Sequence, residues 1–218
     1  MVINSVAVVG IGLEGTSLTN HLLARGFPVW VAASRSAAEI ADDVDILTDG
    51  ALPIDLTDIP SLPDDAAVIL AIPLSAVATL DPEHFAGRIV IDVANYWPRL
   101  DAATDFAAAP RDSSLAVQRH LAGARLVKTL NHMAHSDISF DAAPAGAPAT
   151  KPRRAQAVAG DDSEARKAVV GLLDRMGFDA VDFGALENGR LFGPGTEIFQ
   201  GGARSAEQLR GILERRLS

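Results

Sequence analysis

Apolar runs of strand length alternate with polar-faced stretches from the first residues onward. Val6-Ala7-Val8-Val9 is a β-branched run ending at Gly10, and Thr16 to Arg25 has the apolar spacing of an amphipathic helix closed by Gly26. Pro28 to Ala33 reads as the next strand, Ala37 to Asp43 as a short helix and Val44 to Leu47 as a short strand. Between Asp49 and Asp65, Pro53, Pro60 and Pro63 argue against lasting regular structure. Ala66 to Ile72 is unbroken apolar sequence, as a parallel strand covered on both faces requires, and Pro73 stops it before a helix starting at Leu74. Arg88 to Val93 and Arg125 to Leu130 are further strands, with loop and surface helix from Leu100 to Asp112 and a helix from Ser113 to Leu121.

Asp141 to Pro152 holds Pro144, Gly146, Pro148 and Pro152 among alanines, a composition suited to an extended connection. A strand from Arg154 to Ala159 follows, then a helix with Ala165, Ala168, Val169, Leu172, Leu173 and Met176 on one stripe, then a strand from Phe178 to Phe183. Gly184 to Phe192 begins helically, and Ser205 to Gln208 is a capping box opening a final helix. That helix's apolar edge needs a partner, either the body of the protein or a second copy, and a homodimer is the expected assembly. The fold predicted is α/β: a Rossmann-type, doubly wound, mostly parallel sheet over residues 1–145, with a small C-terminal α/β appendage over residues 146–218.

The chemistry begins where the first strand ends. Gly10, Gly12 and Gly15 stand at the G-x-G-x-x-G spacing between a strand and a helix, with a second strand at βαβ distance, the context in which this spacing marks a dinucleotide site. Gly10 permits the tight turn, Gly12 lets a pyrophosphate approach the main chain, and Gly15 lets helix pack on strand, while the free N–H groups of the helix face the phosphates. Ser34 and Arg35 follow the second strand, and no acid appears before Glu39. An NAD site usually carries a carboxylate there for the ribose 2′-hydroxyl, so NADP(H) is the expected cofactor. Strand-end loops build the rest of such a cleft: Ile72 and Pro73, Asn95, and the loop from Asn131 to Asp137. Asp92, one residue inside its strand, is placed to brace the Asn95 loop from below.

Composition narrows the classes. The chain has 218 residues, 48% hydrophobic, and can bury a full core. Its apolar runs are far shorter than a membrane span and Met1 to Asn4 lacks the regions of a signal peptide, so no membrane association and a cytoplasmic location are expected. Zero cysteines remove disulfides and thiolate chemistry. A net charge of −9 argues against a nucleic-acid surface, and the short basic stretch Lys151 to Arg154 reads as solvated linker. His132, His135 and Asp137 have no outside ligand set, so no metal is expected. With no G-x-S-x-G elbow and no obvious acid–base pair, the partner of the nicotinamide is a small-molecule redox acceptor, and cofactor-to-cofactor hydride transfer fits best. Asn131 and His132 are the candidate catalytic residues; Lys128 or His132 as proton donor keeps reduction of a small carbonyl or imine open. A non-catalytic NADP-binding redox sensor is the third reading.

The pieces in order resemble the NADP-dependent reductases of the deazaflavin coenzyme F-420 and related dinucleotide-binding oxidoreductases. The matching stretches are Val8–Gly15, Val31–Ser36, Val68–Pro73, Ile89–Pro98, Arg125–Met133 and Val158–Phe192. The resemblance implies an NADP domain, a C-terminal domain closing the cleft, and direct hydride exchange between NADPH and the deazaflavin as second substrate. It also implies that Gly10, Gly12, Leu13 and Glu14 form the pyrophosphate loop, Ser34 and Arg35 the 2′-phosphate pocket, and Ile72 with Pro73 the nicotinamide wall; Ile11 and Gly15, in the same loop, are expected cofactor contacts as well. Asn131 then faces the reaction site. Gly193 to Leu213 departs from the apolar tail of that family.

Overall fold

The computed structural model describes residues 1–144 and 152–217. The domain boundary expected at 145/146, and Lys151, lie outside the described residues. The first half runs β1 (Ser5–Val9), α1 (Leu13–Ala24), β2 (Val29–Ala32), α2 (Ala37–Leu47), β3 (Leu52–Pro53) and β4 (Ala66–Leu70). Next come α3 (Leu74–Val77), β5 (Ile89–Asp92), α4 (Pro98–Asp101), α5 (Ser113–His120), β6 (Arg125–Lys128) and α6 (Asp137–Asp141). The chain closes with β7 (Ala155–Val158), α7 (Ser163–Met176), β8 (Asp179–Asp182), α8 (Glu197–Gln200) and α9 (Ala206–Leu217).

β1 to β6 form one parallel sheet in the order β3-β2-β1-β4-β5-β6. This is the doubly wound Rossmann order, and its crossover between β1 and β4 opens the crevice in which ligands of such sheets bind. All residues of β1, β4 and β5 are buried, as strands covered by helices on both faces require.

Two local expectations change. Val44 to Leu47 is no strand but the end of α2, whose Ser36 N-cap and Glu39 form a reciprocal capping box. Only Ile40 and Val44, one turn apart, are buried in this helix, while Ile46 is 79% exposed; the short apolar run misled because periodicity over four residues cannot separate strand from helix. The proline-rich stretch, in turn, holds a two-residue edge strand, Trp30 pairing with Leu52 and Val31 with Pro53. Proline is tolerated there because an edge strand leaves one side of its backbone unpaired.

The C-terminal segment is built onto the sheet. β7 and β8 pair in parallel, and an antiparallel bridge joins Lys128 at the end of β6 to Ala159, with N···O distances of 2.7 and 3.0 Å. All six residues of the α7 stripe are buried, in one cluster with Leu18, Leu22 and Phe27. The buried His21 ring of α1 meets the Met176 carbonyl at 2.7 Å. A smaller core of Phe183, Phe192, Ile198, Leu209 and Ile212 packs α8 and α9 on this sheet, so the body of the protein covers the apolar edge of α9. The basic stretch is not solvated either: Arg154 is 7% exposed and pairs with Asp141, and Arg153 donates to the Asp174, Gly177 and Phe178 carbonyls at the end of α7.

Candidate active site

Each glycine of the loop between β1 and α1 meets a different constraint. Gly10 has φ +122°, and a Cβ there would lie 2.3 Å from the Ala71 carbonyl oxygen. A Cβ on Gly15 would lie 2.1 Å from the Gly10 carbonyl oxygen. Gly12, by contrast, is the N-cap of α1 with no side-chain cap, and a Cβ there meets nothing within 4 Å. Two glycines thus serve the contact of helix, strand and loop, and the third stands before open space at a helix N-terminus whose first amides have no intrahelical acceptor. That combination fits a pyrophosphate. α1 starts at Leu13 rather than Thr16, so Leu13, Glu14 and Gly15 all contribute first-turn amides; Leu13 is 74% exposed beside Ile11 and Gly12.

Glu14 is half-buried. Burial pushes its carboxyl up to about 7, opposed by the positive Lys128 and reinforced by the negative Asp92. Around neutral pH a substantial fraction of Glu14 is therefore uncharged, which lessens its repulsion of a bound pyrophosphate.

At the tip of β2, Ser34 is exposed and Arg35 pairs with Asp43 at 2.6 Å and with the Glu39 carbonyl at 3.3 Å. Both partners of the ion pair are about half exposed, 49% and 46%, so the pair contributes little and exchanges readily. Glu39 is held in the α2 capping box by Ser36, which keeps its carboxyl below the usual range. Arg35→Ala is expected to weaken NADP(H) about tenfold or more with NAD(H) nearly unaffected, and Asp43→Asn, by freeing the guanidinium, to tighten NADP(H). Fluorescence titration with both cofactors measures this; equal weakening of the two by Arg35→Ala removes the residue from the 2′-phosphate role.

Ile72 and Pro73 follow β4, with Ile72 Cγ2 2.9 Å from where a Gly10 Cβ would stand. Asn95 and Asn131, beyond β5 and β6, are clamped together. Asn95 Nδ2 donates to the Asn131 carbonyl at 2.8 Å, and Asn131 Nδ2 donates to Asn95 Oδ1 at 2.9 Å and to the Phe192 carbonyl at 3.1 Å. Asn131 is 3% exposed, so it ties both loops to the C-terminal segment, while the half-buried Asn95 alone of the two faces open space.

His132 is buried. Its Nε2 accepts the Ala157 N–H at 3.0 Å and its ring stacks edgewise on Phe192. Burial, helped by the nearby Arg154 charge, pushes its pKa down to about 3. The ring is therefore a neutral acceptor that fastens the β6 loop to β7, the reverse of a proton donor. His135 is exposed, and Asp137 pairs with Arg154 at 3.4 Å, so the three do not converge. Because the folded state keeps His132 neutral while the unfolded chain protonates it near 6.5, its contribution to stability is complete above about pH 6.5. It is lost as the pH falls toward 3, by up to about 1.4 kcal/mol per pH unit. Urea midpoints at pH 4, 5 and 7 should show a shallower acid slope in His132→Gln; an unchanged slope rules this group out as a source.

Two residues matter that their strand positions did not single out as a pair. The β5–β6 register sets Asp92 opposite Lys128. Asp92 is fully buried and accepts from Lys128 Nζ at 3.2 Å, Ser114 Oγ at 2.7 Å and the Ala94 N–H at 3.0 Å, bracing the Asn95 loop from below as expected. Lys128 Nζ also donates to the Ala94 carbonyl. An aspartate at the end of one strand and a lysine at the end of its neighbour is the signal that could have found this pair.

Beyond these strand ends lies a cavity of about 770 Å³. Asn95, Tyr96 and Trp97, then Ser114 and Lys128, and from the C-terminal segment Gly189 to Leu191 and Gly193 to Glu197 line it. Trp97 meets Phe199 edge to face, with centroids 6.1 Å apart, tying the β5 loop to α8.

Known proteins of the same shape place this geometry. A structure from Sinorhizobium meliloti, described as a hypothetical protein, is 26% identical over 90% of this chain and 92% of its own, with a TM-score of 0.71. A structure provisionally described as an F420-dependent NADP-reductase, from an Arthrobacter species, is 24% identical over 85% and 87%, with a TM-score of 0.65. An imine reductase from Aspergillus terreus shares the fold at 17% identity and a TM-score of 0.57, over 86% of this chain and 57% of that one. No curated protein matches the sequence. The family model described as NADP oxidoreductase coenzyme F420-dependent matches residues 5–96, which span β1 to the Asn95 loop. Over those residues the chain is similar to this family, and the protein is an NADP-dependent oxidoreductase.

Proposed function

We propose that the protein passes hydride between NADPH and a deazaflavin or flavin-like acceptor seated in the cavity beyond β5 and β6. The observation that carries this reading is the cavity: about 770 Å³ is the size of pocket that takes a ring system of this kind, and it lies at the carboxyl ends of the strands. In this reading Gly10, Ile11, Gly12, Leu13, Glu14 and Gly15 hold the pyrophosphate, Ser34 and Arg35 the 2′-phosphate, and Ile72 with Pro73 the nicotinamide, which Asn95 faces. When bound, NADPH supplies the hydride. The chain's own part is to hold both rings together and exclude water. Tyr96 and Trp97 give the acceptor an aromatic wall, and Gly193 to Glu197 cover it.

NADPH absorbance followed with purified protein tests this. Oxidation should accelerate on adding the deazaflavin or a flavin, and no turnover with either removes the acceptor assignment. One observation favours a second reading, reduction of a small imine or carbonyl: the Lys128 ammonium in the cavity wall. Turnover of a cyclic imine with no turnover of deazaflavin or flavin selects it.

A further inference from the structure

We propose that Lys128 is the group that hands a proton to the acceptor as hydride arrives, positioned for it by Asp92 and Ser114. The inference rests on the reading of the cavity as the acceptor site.

Reduction by a hydride leaves a demand for one proton. The acceptor's electrophilic atom, a carbon in a deazaflavin, imine or carbonyl and a ring nitrogen in a flavin, gains the hydride with its electron pair, and the nicotinamide is oxidised. The displaced π pair settles on a conjugated ring nitrogen or carbonyl oxygen, which takes a proton from Lys128 Nζ. The neutral amine then recovers its proton from water. The same balance holds for a deazaflavin and for an imine or carbonyl, so the role does not depend on which is reduced.

Several features single out Lys128. Among the other ionisable residues that line the cavity, Arg111, Glu187, Arg190 and Glu197 are exposed and Tyr96 and Asp112 are half-buried, whereas the Lys128 side chain is 4% exposed. An ammonium has three donors. Asp92 Oδ2 and the Ala94 carbonyl engage two, and the third is left for the cavity that the residue lines. The group is also held rigidly. The Lys128 main chain is paired with Asp92 in the sheet and with Ala159 across the bridge, and Ser114 fixes the Asp92 carboxylate from the other side. Gly189 lies over the stem, its added Cβ 3.4 Å from Lys128 Cγ. A buried donor held in place beforehand is what stabilises charge that develops only in the transition state. His132, the other candidate, is itself an acceptor from the main chain.

The test compares wild type with Lys128→Met, Lys128→Met/Asp92→Asn and Lys128→Arg. The double variant removes both charges, so its fold does not depend on burying an unpaired carboxylate. Lys128→Arg keeps the ion pair but does not give up a proton. Single-turnover hydride transfer should fall about 100-fold or more in all three. Affinities for NADPH and for the oxidised acceptor, by fluorescence titration, should stay close to wild type, while the reduced acceptor binds more weakly to the methionine variants. Transfer within about threefold of wild type in the double variant or in Lys128→Arg overturns the role, and so does a loss explained wholly by weaker NADPH binding. Wild-type protein that transfers hydride to neither a deazaflavin, a flavin nor a cyclic imine overturns the cavity assignment itself. The two failures are therefore distinct.

Discussion

Gly15→Ala should unfold the protein or lower its melting temperature by more than about 8 °C, while Gly12→Ala leaves the melting temperature nearly unchanged and weakens NADPH binding. The contrast follows from what each new methyl group meets. At Gly15 it would stand 2.1 Å from the Gly10 carbonyl oxygen, a main-chain atom of the neighbouring turn. That turn cannot retreat, because a Cβ on Gly10 itself would be 2.3 Å from the Ala71 carbonyl; loop, helix and β4 are already in contact. Moving backbone in a close-packed interior puts the change among the large destabilisations, about 4 kcal/mol or more, and for a chain of this length each kcal/mol is worth about 2–4 °C. At Gly12 nothing lies within 4 Å, so the methyl group costs the fold only the fraction of a kcal/mol to about 1 kcal/mol separating glycine from alanine at an N-cap. It fills instead the space a pyrophosphate needs. Calorimetry with NADPH titration decides the matter. A stable Gly15→Ala, or a Gly12→Ala that binds NADPH as wild type does, contradicts the division of labour among the three glycines.

Asp92→Ala is expected to destabilise by about 3–5 kcal/mol, more than an ordinary core truncation of that size, because it strands the buried Lys128 ammonium. The carboxylate satisfies three donors, from Lys128, Ser114 and Ala94. Asp92→Asn keeps the shape and an acceptor oxygen and should cost less. The informative variant is Asp92→Leu/Lys128→Met: with neither charge to bury, it should recover much of the loss in either single variant, as buried ion pairs replaced by apolar residues do. Urea unfolding of the set gives the coupling. If the double variant is no more stable than Asp92→Ala, the loss comes from packing and the electrostatic account fails. The pair is therefore costly to keep for stability alone, which accords with a role at the cavity wall.

How much of this could be read along the chain depends on how local the cause is. The loop of Gly10, Gly12 and Gly15 is legible because a tight turn, a close approach and a helix start each demand glycine at one position, and the strands before and after it have unbroken apolar runs. The α7 stripe and the Ser205–Gln208 box at α9 are legible for the same reason: helical period and capping are properties of neighbours in sequence. Val44 to Leu47 reads as a strand where that logic is weakest. Four residues fit either period, and the deciding fact, that Val44 but not Ile46 meets the core, belongs to packing.

Sequence by itself determined the doubly wound sheet, the nucleotide loop and, through Ser34 and Arg35 with no acid beside them, the leaning toward NADP(H). Tertiary structure alone decided the rest of the site. A register between β5 and β6 sets Asp92 against Lys128, and a fold-back of the C-terminal segment buries His132 against Ala157 and closes a cavity over Asn95. Those residues are tens of positions apart, and the same lysine or histidine in water would be an ordinary solvated base. Burial and neighbours brought from elsewhere in the chain make one a neutral acceptor and the other a held cation, and no local pattern of residues encodes them.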